Sequence, residues 1–306
     1  MGLKRLLPLL GLVLLCACAP AEPAPREEGS LTLAATTFPV YLLAQEVTRD
    51  VPELTLTLVV NEQMSCMHDY SLSITDMKVL ERADAVLLSG AGLEETLEQA
   101  LEAAQPLEID CSAGIDLLCA EEDHDHHGEA DGDEPDPHIW LDPRRACQML
   151  SNLAQGLGQL DPDHAAQFAA NAKAAQAEIL AGYEDLKAQL ADLTPRQLIT
   201  FHDGFAYFAE AFDLKILRAI EEEAGSEASA LEVREILALL QEQRLPAIFT
   251  EVNGADATAR LIGQEAGVRV AALDLLMGRR EAEEQGAALY LSVLAANVNA
   301  IQEAYS

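Results

Sequence analysis

The sequence predicts an α/β protein of two lobes, each a parallel sheet flanked by helices, joined by one long rigid helix. Three observations carry this. Short aliphatic and β-branched runs alternate with helical runs over residues 31–110, and the same alternation resumes after Pro195. Between the two series, the stretch that opens at Asp161-Pro162 runs to about Leu193 with Gly182 as its only further Gly or Pro. Strand–helix alternation implies parallel sheets covered by helices. A helix of about 30 residues spans about 45 Å at 1.5 Å per residue, long enough to act as a spine.

In the first half, residues 31–36 read as a strand and 39–48 as a helix. Residues 54–60 alternate Leu and Thr, a half-buried strand. Ser73, with Asp76 three residues on, is an N-cap before Ile74, Met77 and Leu80 at helical spacing. Residues 85–88 form a buried strand ending at Ser89-Gly90, followed by a helix over 93–104 and a strand over 107–110. Residues 121–136 are almost wholly His, Asp, Glu and Gly and bury too little apolar surface to fold, so a mobile loop is expected. Asp142-Pro143 supplies an N-cap and N1 pair for a helix reaching about Gly158. In the second half, strands are expected over 197–201, 215–219, 247–250 and 268–273. Helices are expected over 206–212, 230–243, 258–266 and 287–304. No fixed-period repeat signals a solenoid.

The N-terminus carries Lys4 and Arg5 before an apolar run, residues 6–15. That run falls short of the roughly 20 residues a membrane-spanning helix needs, so it reads as a secretory signal. It ends Leu15-Cys16-Ala17-Cys18, a lipobox with cleavage before Cys18 and a lipid on its sulfur; Leu14-Leu15 are too bulky to favour Cys16. Residues 18–30 then make a Pro/Glu-rich tether. The expected organisation is a signal peptide over 1–17, a tether over 18–30, a first lobe over 31–160, a linking helix over 161–193 and a second lobe over 194–306. The chain is expected to be exported, held at the membrane by its lipid, and monomeric.

The net charge of −33 excludes binding nucleic acid by phosphate neutralisation. An acidic surface is commonly a solubility device, so charge alone does not choose a ligand. Besides Cys18, the mature chain holds Cys66, Cys111, Cys119 and Cys147. For an exported protein the default expectation is two disulfides, with all three pairings open.

Seven histidines remain to be placed. His124, His126 and His127 sit in the acidic loop, and His164 in the exposed first turn of the long helix. His202 directly follows a predicted strand, and His68 lies in the loop after another. Glu251 and Asp274 end two further strands, and His138 stands on the irregular Asp136-Pro137-His138 segment. Carboxyl ends of parallel strands are where open α/β sheets bind ligands. A lone His there is commonly structural, and a lone carboxylate is commonly an N-cap. The joint placement is what argues for a site. Three imidazoles and a carboxylate make a closed four-coordinate set suited to Zn²⁺, whereas Ca²⁺, Mg²⁺ and Mn²⁺ favour oxygen ligands. Cys66 competes as a thiolate ligand, but export favours a disulfide. Imidazoles and carboxylates on the acidic loop can collect cations weakly near the main site.

At these residues the chain resembles the zinc/manganese solute-binding lipoproteins of ABC importers, of ZnuA and TroA type. The landmarks are His68-Asp69-Tyr70-Ser71-Leu72, Ala83-Asp84-Ala85-Val86, Gly90-Ala91-Gly92-Leu93-Glu94 and the His/acidic loop. They continue with Asp136-Pro137-His138-Ile139-Trp140-Leu141-Asp142-Pro143, Phe201-His202-Asp203, Phe249-Thr250-Glu251 and Leu273-Asp274. The resemblance covers essentially the mature chain. It implies the cluster A-I solute-binding fold, with the ion held between the lobes by His68 and His138 from the first and His202 and Asp274 from the second. The manganese branch usually has Glu where His202 stands, and the zinc branch carries a His-rich loop, as here. Two departures stand out: Ser65-Cys66-Met67 precedes His68 in place of the common Pro, and Leu275-Leu276-Met277-Gly278 follows Asp274 in place of a shorter turn. Water or Glu251 then becomes an alternative fourth ligand, and Glu251 otherwise orients a ligand from outside the shell.

The resemblance therefore implies a binding protein without turnover that captures Zn²⁺ and presents it to an ABC permease. The stiff spine implies small, local rearrangements on loading. A manganese or iron carrier of the same shape is the alternative. An exported zinc hydrolase would need an open coordination position and a base, and the chain has no His-Glu-x-x-His or Gly-x-Ser-x-Gly. An adhesin using metal structurally is a further alternative.

Overall fold

The computed structural model describes residues 30–61, 67, 70–119, 135–221, 229–252, 254, 256–279 and 285–306. Cys18, Cys66, His68, His124, His126 and His127 lie outside the described residues.

The first sheet contains β1 (Leu31–Ala35), β2 (Leu54–Leu58), β3 (Ala85–Leu88) and β4 (Leu107–Asp110), in the order β2-β1-β3-β4 and parallel throughout. The second contains β5 (Gln197–His202), β6 (Lys215–Glu221), β7 (Ala247–Glu251) and β8 (Arg269–Leu273), in the order β6-β5-β7-β8, again parallel. The two sheets thus share one winding. In each, the first strand sits inside with its successors on opposite sides, so the chain direction switches beside it. Such a switch opens a crevice at the carboxyl ends of the central strands.

Helices α1 (Phe38–Val47), α2 (Ile74–Arg82) and α3 (Glu98–Ala104) serve the first sheet. Ser73 and Asp76 close a reciprocal cap on α2, as their spacing predicts. The expected helix over 93–104 is shorter: a 3₁₀ turn, Glu95–Leu97, precedes α3. Helices α4 (Pro143–Leu160) and α5 (Ala165–Gln189) form an antiparallel pair, and α6 (Ala206–Ala211), α7 (Ala230–Gln243), α8 (Ala257–Ala266) and α9 (Gly286–Tyr305) follow.

The linking helix is shorter than the sequence suggests. It has 25 residues, about 38 Å at 1.5 Å per residue. Asp161 closes α4, its N–H reaching the Leu157 carbonyl, and His164 caps α5. The Asp-Pro-Asp-His segment is therefore consumed by the turn. His164 is not simply solvated, because its Nδ1 lies 2.6 Å from Asp161 Oδ2.

One apolar core runs through both lobes. It joins Leu33, Ala35 and Val86 around the first sheet to Leu198 and Phe249 of the second, through Trp140, Phe168, Tyr183, Phe208 and Tyr290. A satellite core of Ile199, Phe201, Ile236, Leu240, Ile248 and Ile262 lies between the second sheet and α7 and α8. The last helix packs on α1 and α5 as well as on β8. Polar ties cross the same junction: Glu46 Oε1 accepts from the Ala287 N–H at 2.9 Å, and the Tyr183 hydroxyl donates to the Ala211 carbonyl at 2.5 Å.

Among the described residues the expected disulfides do not form. Cys111, Cys119 and Cys147 are free thiols. Cys111 is buried beside Glu94 and Asp110, and burial holds its thiol well above the usual range. Burial also pushes the Cys147 thiol up to about 12. The compartment rule that predicts pairing carries no information on proximity, and these cysteines sit on separate elements, with Cys147 on α4 directing its Sγ to the Gln176 carbonyl of α5 at 3.8 Å. Among the described residues, no helix is long and apolar enough to cross a membrane.

Candidate metal centre

Two of the predicted histidines meet at the lobe junction. His202 is the last residue of β5, and its ring lies edge-on to that of His138, with centroids 5.3 Å apart and planes at 87°. Both are almost fully buried, at 5% and 6% exposure.

His138 is fixed from its own segment. Asp136 Oδ1 accepts from the His138 backbone N–H at 2.9 Å and contacts its ring Nδ1 at 2.7 Å. A carboxylate on Nδ1 places the proton there and leaves the Nε2 lone pair available. Immediately after it, Ile139–Leu141 form a 3₁₀ turn that buries all three side chains. Trp140 is wholly buried; its indole N–H donates to the Leu275 carbonyl at 2.8 Å, and its own carbonyl accepts from the Tyr290 hydroxyl at 2.7 Å. These bonds tie the His138 segment to α9 and to the turn after Asp274.

Glu251 ends β7, next to β5. Thr200 and Phe249 are partners across that pair, so His202 and Glu251, each two residues on, project from matching positions. Glu251 Oε1 is 3.6 Å from His202 Nδ1. That is ion-pair range and beyond a hydrogen bond. Asp274 follows β8 directly and is 7% exposed. Asn297 grips its backbone from α9, accepting from the Asp274 N–H at 2.8 Å and donating to its carbonyl at 2.9 Å. Asp274 Oδ1 accepts from the Leu276 N–H at 2.8 Å, closing a turn in which Leu276 takes φ +62°.

The structure thus brings together His138, His202, Glu251 and Asp136, with Asp274 one strand further along. Among the described residues, no group of three or more His, Cys, Asp or Glu side chains is close enough to enclose an ion.

Gly204 explains how the two imidazoles approach. A methyl at that position would stand 2.8 Å from His202 Cδ2, 3.0 Å from His138 Cε1 and 3.1 Å from His138 Nε2. The missing side chain leaves room beside His138 Nε2. Sequence reasoning singled out neither Gly204, nor Asn297, nor Asp136 as an orienting carboxylate. Asp136 carried a signal, two residues before a candidate ligand; Gly204 and Asn297 act through contacts that no local pattern encodes.

Two like-wound parallel sheets sharing a core, with two buried imidazoles meeting at the end of β5, give the two-lobed fold of solute-binding proteins. The chain belongs to the family described as zinc-uptake complex component A, periplasmic, which matches residues 33–304. It is 26% identical over 309 residues to the zinc-binding lipoprotein AdcA of Streptococcus pneumoniae, covering 98% of this chain and 60% of that one. The chain therefore spans about 60% of the length of that curated relative. A crystal structure of ZnuA superposes with a TM-score of 0.77 at 28% identity, covering 90% of this chain and all of the other. A mutant structure of the laminin-binding adhesin Lmb from Streptococcus agalactiae has the same fold, with a TM-score of 0.78 at 23% identity, covering 90% and 100%. The family's description is that of a periplasmic zinc-uptake component, and the AdcA relative is named a zinc-binding lipoprotein.

Proposed function

We propose that the chain captures Zn²⁺ between its lobes and delivers it to the permease of an ABC importer. The ligands are His68 and His138 from the first lobe and His202 and Asp274 from the second, with Glu251 orienting His202 or standing in as a ligand. The observation that carries this reading is the buried His138–His202 pair, 5.3 Å apart and supplied by different lobes, with Asp136 on His138 Nδ1. Desolvated imidazoles, one of them oriented by a carboxylate on Nδ1, suit a borderline-soft cation better than a hard one. The His/acidic loop, with His124, His126 and His127, collects cations for this site. The lobes divide at the linking helix α5, Ala165–Gln189. Residues 1–17 are a signal peptide, and Cys18 carries the lipid that holds a monomeric protein at the membrane surface.

A manganese or iron carrier is the second reading, favoured only by the carboxylates Glu251 and Asp274 beside the imidazoles. Competition between metals separates the two: Zn²⁺ held in the presence of excess Mn²⁺, and lost from His138→Ala, supports the zinc reading. Equal retention of Mn²⁺ would replace it. Delivery is tested by zinc uptake in cells lacking the chain and in cells carrying His202→Ala. Uptake unaffected by either change would overturn the transport reading.

A further inference from the structure

Behind the imidazoles, a single phenol joins three parts of the molecule. Tyr207 lies on α6, in the second lobe, and is fully buried. Its hydroxyl donates to the Asp136 carbonyl at 2.9 Å and accepts from the Leu118 N–H at 2.9 Å. Leu118 and Asp136 flank the His/acidic insert, and they bond directly, Asp136 N–H to the Leu118 carbonyl at 2.8 Å. A bridge between Cys119 and Pro135 closes the same base one step further out. Asp136 is also the residue whose Oδ1 holds both the backbone N–H and the Nδ1 of His138. One hydroxyl thus fixes the carbonyl of the residue whose carboxylate fixes the candidate ligand.

The phenol is itself held. The Arg145 guanidinium stacks over its ring at 4.7 Å. Arg145 is anchored in turn by Asp142 at 2.7 Å, Glu210 at 3.2 Å and the Asp116 carbonyl at 3.2 Å. Burial pushes the phenol up to about 12, so it stays a neutral donor at physiological pH. Ring, hydroxyl and guanidinium therefore have one arrangement.

We propose that Tyr207 is a positioning residue through which the second lobe and both ends of the His/acidic insert set the orientation of His138. It rests on the reading of His138 as a metal ligand. Tyr207 touches no ion; it acts through Asp136, two hydrogen bonds from Nδ1, and so orients the ring whose Nε2 faces the ion.

The test is a double-variant cycle of Tyr207→Phe and Asp136→Ala, with Zn²⁺ affinity measured by chelator competition on the full chain. Tyr207→Phe deletes the hydroxyl and keeps the ring under Arg145. Losing a partner that orients a ligand typically lowers metal affinity about 10–100-fold, and Tyr207→Phe, one bond further out, should lower it about 3–10-fold. In the double variant, affinity should equal that of Asp136→Ala alone, because deleting the carboxylate already cuts the path. A second readout is ring ¹⁵N NMR of the metal-free protein: His138 is a single Nδ1-protonated tautomer in the wild type and a mixture in Tyr207→Phe. Wild-type affinity and an unchanged tautomer in Tyr207→Phe would overturn the proposal, as would losses that simply add in the double variant. Failure of the metal reading itself looks different. There, His138→Ala binds Zn²⁺ like the wild type, while the NMR arm still reports whether Tyr207 sets the ring.

Discussion

Gly204→Ala isolates the geometry of the imidazole pair from the stability of the fold. The added methyl meets His202 Cδ2 at 2.8 Å and His138 Cε1 and Nε2 at 3.0 and 3.1 Å. Comfortable carbon contacts lie at about 3.5–4.0 Å, so the rings must withdraw by roughly 0.5–1 Å. His138 has little freedom to do so, because Asp136 holds its Nδ1 at 2.7 Å and Trp140 packs on it with centroids 5.4 Å apart. Metal–ligand distances tolerate only about ±0.2 Å, so the shift exceeds what a bound ion accepts. Disturbing one ligand in this way should weaken Zn²⁺ binding about 10–100-fold, or roughly 1.4–2.8 kcal/mol. The fold should be spared, since the position is outside the helices and strands and carries no positive φ. The assay is chelator-competition titration, with the thermal midpoint of the metal-free protein as control. Zn²⁺ affinity within about twofold of wild type would refute the reasoning, because the two imidazoles would then not share an ion. So would an affinity loss matched by a collapse of the metal-free fold.

Two further perturbations probe the first lobe. Glu94 is buried with its carboxylate receiving Thr36 Oγ1 and the Ser89 and Gly90 N–H groups, and burial raises it to about 7. Its folded form holds the proton more tightly than the unfolded chain, so its contribution is fully present below about 4.5 and lost as pH rises through about 7. Unfolding of the metal-free protein should show stability declining by up to about 3 kcal/mol from pH 5 to pH 8, and Glu94→Gln should remove that slope; identical slopes in the two proteins would contradict it. Alkylation followed by peptide mapping should find Cys111, Cys119 and Cys147 reduced without added reductant, with exposed Cys119 labelled fast in the native state and buried Cys111 only after unfolding. A disulfide among the three would contradict the assignment.

Much of the architecture was legible because it is local. The Leu/Thr alternation over 54–58 and the Ser73–Asp76 cap announce their elements, and β2 and α2 form there. The rule that ligands gather at strand carboxyl ends located His202 and Glu251, which do meet. What local pattern could not reveal is that Asp161-Pro162, read as the opening of the long helix, belongs to the turn, with α5 starting only after His164. The same limit hid the supports of the site. Tyr207 lies 71 residues from the Asp136 carbonyl it holds, and Trp140 135 residues from the carbonyl of Leu275. Such partners are chosen by the tertiary fold, and a side chain's type does not name them.

The central claim is that an ion is held by imidazoles supplied from both lobes. Calorimetric titration of Zn²⁺ into the chelator-stripped protein and into His202→Ala, with Mn²⁺ in parallel, tests it most directly. The account predicts tight one-site Zn²⁺ binding that the variant loses, and weak Mn²⁺ binding. Zn²⁺ binding unchanged in His202→Ala would contradict it and assign the metal to the histidines of the acidic loop.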